Sequence, residues 1–351
     1  MARQLLLERD SRSPAEAIEW LVAMQCQEPP APFYGLWSRL EGFEAASLVE
    51  LLESRAVVRT TLMRATLHLL SGRDCLALRP LFQAMLAKRF AGTAFAAQVG
   101  GADLEEVVAA GREILAERPM GTASLGRELA ERWPDGDPTA LAYAVRFILP
   151  VVQLPPRGTS LSRQGGPAIV TPAETWLGAP LAADAGAEAM VLRYLAAFGP
   201  STVADIRLWS GLAGITDVVA RLRDRLVVFE DESGRPLFDV PGAPLPDPDT
   251  TVPPRFLPPF DNVLLGHDDR SRVLPWGHRL GVVGGSSFVL VDGFARATWR
   301  IERGNDAVTL MVEPLEPLSG TDEVVAEGER LLSFAAPEAS RREVVLGAAA
   351  G

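Results

Sequence analysis

The chain has 351 residues, 48% of them hydrophobic, and a formal net charge of −11 at pH 7. That length and apolar content suit two or three domain-sized cores, and no apolar run is long enough and uncharged enough to span a membrane. The acidic balance argues against a polyanion held by bulk charge alone.

The charge is uneven. Between Glu53 and Arg89 the chain carries Arg55, Arg59, Arg64, Arg73, Arg79, Lys88 and Arg89 against only Glu53 and Asp74, a basic strip able to hold phosphates. Acid collects from Glu230 to Asp249 and after Gly320. Met1 to Leu7 is too short for a signal segment and runs into Glu8 and Asp10, so no leader is expected. Cys26 and Cys75 lack metal spacing and suit a reducing cytoplasm, where the protein is expected.

In chain order, Pro14 to Met24 reads as a helix. It closes on Met24-Gln25-Cys26-Gln27, ahead of the proline-rich turn Glu28 to Pro32. Two glutamines at a helix end ordinarily tie the helix to its loop. Helical segments follow at Leu36 to Leu40 and Ala45 to Glu53. Val57 to Met63 and Thr66 to Leu70 then form two strands turning near Arg64-Ala65. Alternation puts Thr66 and His68 on one face. The plain reading of this hairpin is a wing with a solvated arginine.

The next segment repeats a helix, helix, helix, hairpin order. Its helices are Leu104 to Glu117, Ala123 to Arg132 (capped by Thr122) and one beginning at Thr139 to Val145. Its strands lie within Phe147 to Leu154 and Ala168 to Val170. The order recurs most clearly in Met190 to Phe198, Val203 to Ser210, Thr216 to Arg225, Val227 to Glu230 and Pro236 to Val240, with Ser201 or Thr202 capping the middle helix. Seven prolines from Pro244 to Pro259 mark a linker. Beyond it Arg279 to Val283, Ser287 to Val291, Ala295 to Glu302 and Ala307 to Glu313 are strand-like, followed by a helix from Asp322 to Phe334 and a frayed end from Gly347. The predicted class is α+β. Three tandem winged-helix units (1–100, 101–185 and 186–242) precede a linker and a small C-terminal antiparallel β-barrel-like domain with its final helix (243–351).

Such modules ordinarily serve DNA-binding regulators, and Arg221, Arg223 and Arg225 lie on the third helix of the last unit. No phosphate loop, zinc spacing or nucleophile elbow is present. His68, His267 and His278 are scattered, and Gly281 to Gly285 reads as a strand turn. Asp261, in Pro259-Phe260-Asp261, reads as a turn cap or a partner for an arginine.

An ordered set of short motifs is more telling. Gln25-Cys-Gln27, Arg59-Thr60-x-x-Met63-Arg64-x-Thr66-x-His68 and Pro259-Phe260-Asp261 resemble the winged-helix DNA glycosylase family of AlkZ and YcaQ type. So do Gly199-Pro-x-Thr202-x-x-Asp205-x-x-x-Trp209 and Val291-Asp-Gly293 with Thr298-Trp299. The resemblance runs from about Pro14 to Phe334. It implies a cleft for damaged duplex DNA, with Gln25 and Gln27 catalytic. It also implies contacts to DNA or the lesion from Arg59, Thr61, Arg64, Thr66, His68, Asp261 and Arg270. Gln27 places the chain on the Gln-x-Gln, AlkZ-like branch. Ala65 stands where the family commonly has glycine, and His267 where it has tyrosine.

Neutral amides accept and donate hydrogen bonds but do not deprotonate water strongly. A glutamine pair therefore suits a leaving group that is already good, such as an N7- or N3-alkylated, cationic purine. Lys88 is the chain's one lysine, so Schiff-base lyase chemistry is not expected. The expectation is a monofunctional, monomeric glycosylase acting on duplex DNA with alkylated purines, without metal or cofactor and without a membrane. A silent winged-helix regulator and a protein-interaction scaffold are the alternatives.

Overall fold

A computed structural model describes residues 1–161, 166–183, 186–274, 285–304 and 307–348. The first third contains α1 (Pro14–Trp20), β1 (Met24–Gln25), α2 (Ala31–Trp37), α3 (Ala45–Glu53), β2 (Val57–Thr61), β3 (Leu67–Ser71), α4 (Gly72–Leu78) and α5 (Gln83–Ala91). Next come α6 (Leu104–Glu117), α7 (Thr122–Arg132), α8 (Pro138–Ile148), β4 (Val151–Gln153), β5 (Val170–Pro172) and α9 (Ala173–Leu177). A second three-helix run, α10 (Ala187–Phe198), α11 (Val203–Ser210) and α12 (Ile215–Arg221), leads to β6 (Val227–Glu230) and β7 (Pro236–Asp239). The last segment holds β8 (Arg255–Leu257), α13 (Asn262–Leu265), β9 (Ser287–Val291), β10 (Phe294–Arg303), β11 (Ala307–Pro314), α14 (Thr321–Ala335) and β12 (Arg341–Leu346).

Local chemistry explains several boundaries. Ser13 and Glu16 form a reciprocal capping box at α1, as do Thr202 and Asp205 at α11. Asp137 caps α8 ahead of Pro138. At α7 the cap position is Gly121, without a side-chain bond, and Thr122 is the first helical residue. Helix α1 stops four residues short of the expected Met24, because Val22 takes a left-handed φ of 67° that breaks the helical run.

The central sheet has the order β1-β3-β2-β4-β5. Strand β2 pairs with β4 through Arg59 opposite Gln153 and Thr60 opposite Val152, so the hairpins expected in the first two units share one sheet. One face, with Met24, Cys26, Val57 and Leu69, packs on α1, α2 and α3. The opposite face, with Val58, Leu70 and Val152, packs on α4, α10, α11 and α12. The sheet is thus buried on both sides.

The C-terminal sheet runs β12-β11-β10-β9-β8. Its last pair, β11 with β12, is parallel, and among the described residues no pairing closes β12 onto β8. It is an open mixed sheet where an antiparallel barrel was expected, and β12 was not foreseen at all. The expected strand Arg279 to Val283 lies outside the described residues. This sheet does not stand apart. Trp37 of α2 stacks on Phe334 of α14 at 5.9 Å, and Tyr34 meets Trp299 of β10 edge-on at 5.3 Å. The first and last segments of the chain therefore share a core, which brings β1 against α13.

Candidate active site

Because α1 ends early, the glutamines do not sit at a helix end. They lie on and just beyond β1, which runs antiparallel to β3 with Gln25 opposite His68. Cys26 N–H donates to Leu67 O at 2.9 Å. In a regular ladder Leu67 N–H would return to Cys26 O. Here Leu67 N–H donates to Gln27 Oε1 at 3.4 Å, and Cys26 O accepts from Arg59 Nη2 at 2.9 Å. Alternation turns Cys26 inward, where burial pushes its thiol pKa up, and leaves Gln25 and Gln27 on the other face. Gln25 is buried and Gln27 is exposed.

Arg64 completes this arrangement. Its Nη2 donates to Gln25 Oε1 at 3.2 Å and its Nη1 to Trp209 O near the C-terminus of α11. Cations are favoured at that helix end. Arg64 and Ala65 both take left-handed conformations, with φ of 55° and 59°. The backbone of Arg64 lies against Gly211, where a Cβ would stand 3.2 Å from Arg64 N. Burial, then the neighbouring Arg270, lowers the Arg64 pKa to about 10, so it stays protonated at neutral pH. Arg270 is half-buried and has no ion pair among the described residues.

The other expected contacts are placed differently. Arg59 is 2% exposed and lies under the strand, with Gly158 packed on its guanidinium. It supports the strand from below through its bond to Cys26 O. His68 is fully buried. Its Nδ1 is 2.9 Å from Thr66 O, which only accepts, so Nδ1 carries the proton. Burial first, then Arg64, lowers the His68 pKa to about 3, so the ring is neutral and does no acid–base work near pH 7. Thr66 Oγ1 donates to Met63 O at 3.1 Å, and Thr61 is half-buried at the end of β2.

Asp261 takes both of its sequence readings at once. It caps α13 by accepting from Val263 N at 3.0 Å. It also receives Arg39 Nη1 and Nη2 at 2.8 and 2.7 Å, with both side chains buried. Its carboxylate is committed to this ion pair and to the helix cap. Asn262 was missed from the sequence. Its Nδ2 donates to Ala23 O at 2.7 Å and so anchors the approach to Gln25. His267 bonds Phe198 O at 3.0 Å, and burial and Arg272 lower its pKa to about 4. His278 lies outside the described residues.

The basic strip does not form one face. Arg79 is buried against Phe147 O and Ile148 O, Arg73 pairs with Glu19, and Arg55 stacks on Trp176. Close to the strand end a cleft of about 690 Å³ opens. It is lined by Glu28, Tyr34, Pro259, Trp299 and Arg300 among others.

The model of the family described as "DNA glycosylase AlkZ-like" matches residues 18–334. The chain belongs to this AlkZ-like DNA glycosylase family. As an AlkZ-like protein it is a DNA glycosylase, an enzyme of DNA repair. Among solved structures, Streptomyces sahachiroi DNA glycosylase AlkZ matches with a TM-score of 0.77 at 20% identity, covering 99% of this chain and 97% of that one. That likeness concerns the fold. No curated protein matches the sequence. Among the described residues no helix is long and apolar enough to cross a membrane.

Proposed function

We propose that this AlkZ-like glycosylase is monofunctional and excises purines made cationic by N7 or N3 alkylation from duplex DNA. The observation that carries the reading is chemical. The side chains presented at the end of β1, Gln25 and Gln27, are neutral amides. The buried carboxylate nearby, Asp261, is taken by Arg39, and His68 is held neutral. Such a site orients a water but does not deprotonate it strongly. The C1′–N9 bond must therefore break largely on its own. Its electron pair passes to the base, which leaves neutral when it was cationic. The sugar becomes oxocarbenium-like, and a water oriented at the glutamine motif forms the new C1′–O bond and then loses a proton. Arg270, half-buried beside Arg64 and without an ion pair among the described residues, suits a phosphate beside the lesion.

Support for bulky adducts and interstrand crosslinks comes from the 690 Å³ cleft, whose lining begins at Glu28, the residue after Gln27, and which leaves room there for a substituent. Lys88 is exposed in the last turn of α5, and no lysine is available at the strand for a Schiff base.

The test is excision from a duplex carrying N7-methylguanine, read as alkali-induced strand cleavage. Gln25→Ala and Gln27→Ala should each slow single-turnover release. Unchanged release in both would overturn the assignment. A loss in Glu28→Gln as large as in Gln25→Ala would move the chemistry to a carboxylate and overturn it equally.

A further inference from the structure

The two glutamines are not held alike. Gln25 Oε1 accepts from Arg64 Nη2 at 3.2 Å, and a guanidinium has donors only. The amide of Gln25 can meet Arg64 only through its carbonyl, so its –NH2 must point away. Arg64 is itself fixed: Trp209 O holds Nη1, its backbone is left-handed, and Gly211 packs on its main chain. Gln27 is exposed and kept by one long bond of 3.4 Å from Leu67 N–H. That bond lies at the outer limit of hydrogen-bond length, so the amide of Gln27 is cheap to turn.

The attack on C1′ needs an acceptor for the water's proton, with the water's lone pair facing the sugar. An amide –NH2 at that place would bind the lone pair and blunt the nucleophile. The same –NH2 suits a base atom that gains electron density as C1′–N9 breaks, and such a bond strengthens toward the transition state. Resting on the glycosylase reading above, we infer that Arg64 is a positioning residue that locks Gln25 as a hydrogen-bond donor to the departing purine, leaving Gln27 as the amide whose carbonyl orients the water. Arg64 acts through Gln25, and its link to Trp209 makes the donor's aim depend on the seat of α11.

A double-mutant cycle decides this. The variants Arg64→Met, Gln25→Ala and their combination are compared in single-turnover release of N7-methylguanine and in affinity for a duplex with a tetrahydrofuran abasic analogue. Arg64→Met should slow release by about 100-fold, the scale of a misplaced catalytic group. Its affinity for the abasic duplex should change by about 3-fold at most, under one decade of binding constant. In the Gln25→Ala background Arg64→Met should slow release no further, and Arg64→Lys should restore part of the rate in the native background. Gln25→Glu, isosteric but without the –NH2, should be as slow as Gln25→Ala, whereas Gln27→Glu should exceed Gln27→Ala. Additive losses, or a loss carried by affinity with a steeper salt response, would overturn the positioning role in favour of an independent phosphate contact. Unfolding midpoints of the variants within a few degrees of wild type keep the comparison about the site, and Arg64→Lys supplies it where Arg64→Met does not fold. If the wild-type protein releases no N7-methylguanine, the glycosylase reading of the substrate fails along with this inference. If the wild type is active and the cycle is additive, only the inference fails.

Discussion

Replacing Asp261 by alanine should behave as a stability lesion and not as a loss of DNA contact. Both carboxylate oxygens receive Arg39, whose side chain is 0% exposed against 2% for Asp261. Alanine would leave a guanidinium buried without its counter-charge. Breaking such a pair from one side costs about 3–5 kcal/mol. Loss of the α13 cap adds roughly 1 kcal/mol. Arg39 also donates to Gln4 O and Gly35 O, so it cannot swing out to water without abandoning two further bonds. Asp261→Asn should be milder, because its Oδ1 keeps the cap and one bond from Arg39, although the charge and the second acceptor are lost. The double replacement Arg39→Met with Asp261→Leu should recover much of the loss, since removing both partners leaves no orphaned charge. The assay is urea unfolding followed by tryptophan fluorescence, alongside affinity for undamaged duplex at two salt concentrations. Native stability in Asp261→Ala combined with weakened, salt-dependent DNA binding would refute this reasoning and return Asp261 to the DNA surface.

Four further outcomes are expected. His68 and His267 are held neutral with pKa values of about 3 and 4, both below the unfolded value near 6.5. The unfolded chain thus binds more protons below pH 6.5, and stability should fall as pH drops, by about 2 kcal/mol per histidine between pH 7.5 and 5. Urea midpoints at the two pH values check this, with His68→Phe removing its share. The excision rate, by contrast, should show no inflection near pH 6.5, and a histidine-like step in the profile would contradict the neutral assignment. Ala65→Gly should stabilise the protein by about 0.5–1 kcal/mol, because glycine adopts the φ of 59° without the Cβ penalty; a loss of stability would count against the turn as described. Borohydride should trap no covalent adduct with abasic or lesion-bearing DNA, and an adduct abolished by Lys88→Ala would establish lyase chemistry.

Legibility in the sequence followed the range of the interaction. Strand β9 was readable to the residue, because a short, continuous run of aromatic, β-branched and aliphatic residues, Phe288 to Val291, is bounded by turn residues. Helix α14 and the cap of α11, expected at Ser201 or Thr202 and found at Thr202, were open to local reading for similar reasons. The end of α1 was not, since nothing in Val22 advertises a left-handed φ. That error moved the glutamines from a strand to a helix end. Strand β12 begins with three charged residues, and its parallel pairing with β11 is a tertiary choice. Asp261 was legible as a cap or an arginine partner, but Arg39 is 222 positions away and no pattern names it. Arg59 illustrates the opposite failure. Charge alone suggested a phosphate contact, and only burial reveals that its guanidinium holds the carbonyl between the glutamines.

The proposed neutral glutamine pair should release only bases that are already cationic. The most direct measurement compares single-turnover release of N7-methylguanine and of O6-methylguanine from otherwise identical duplexes. The two lesions carry the same methyl group, and only the first is cationic. Release of N7-methylguanine that depends on Gln25 and Gln27, with none of O6-methylguanine, is the predicted result. Comparable release of both would contradict it, because a neutral leaving group requires acid or base assistance that this pair does not supply.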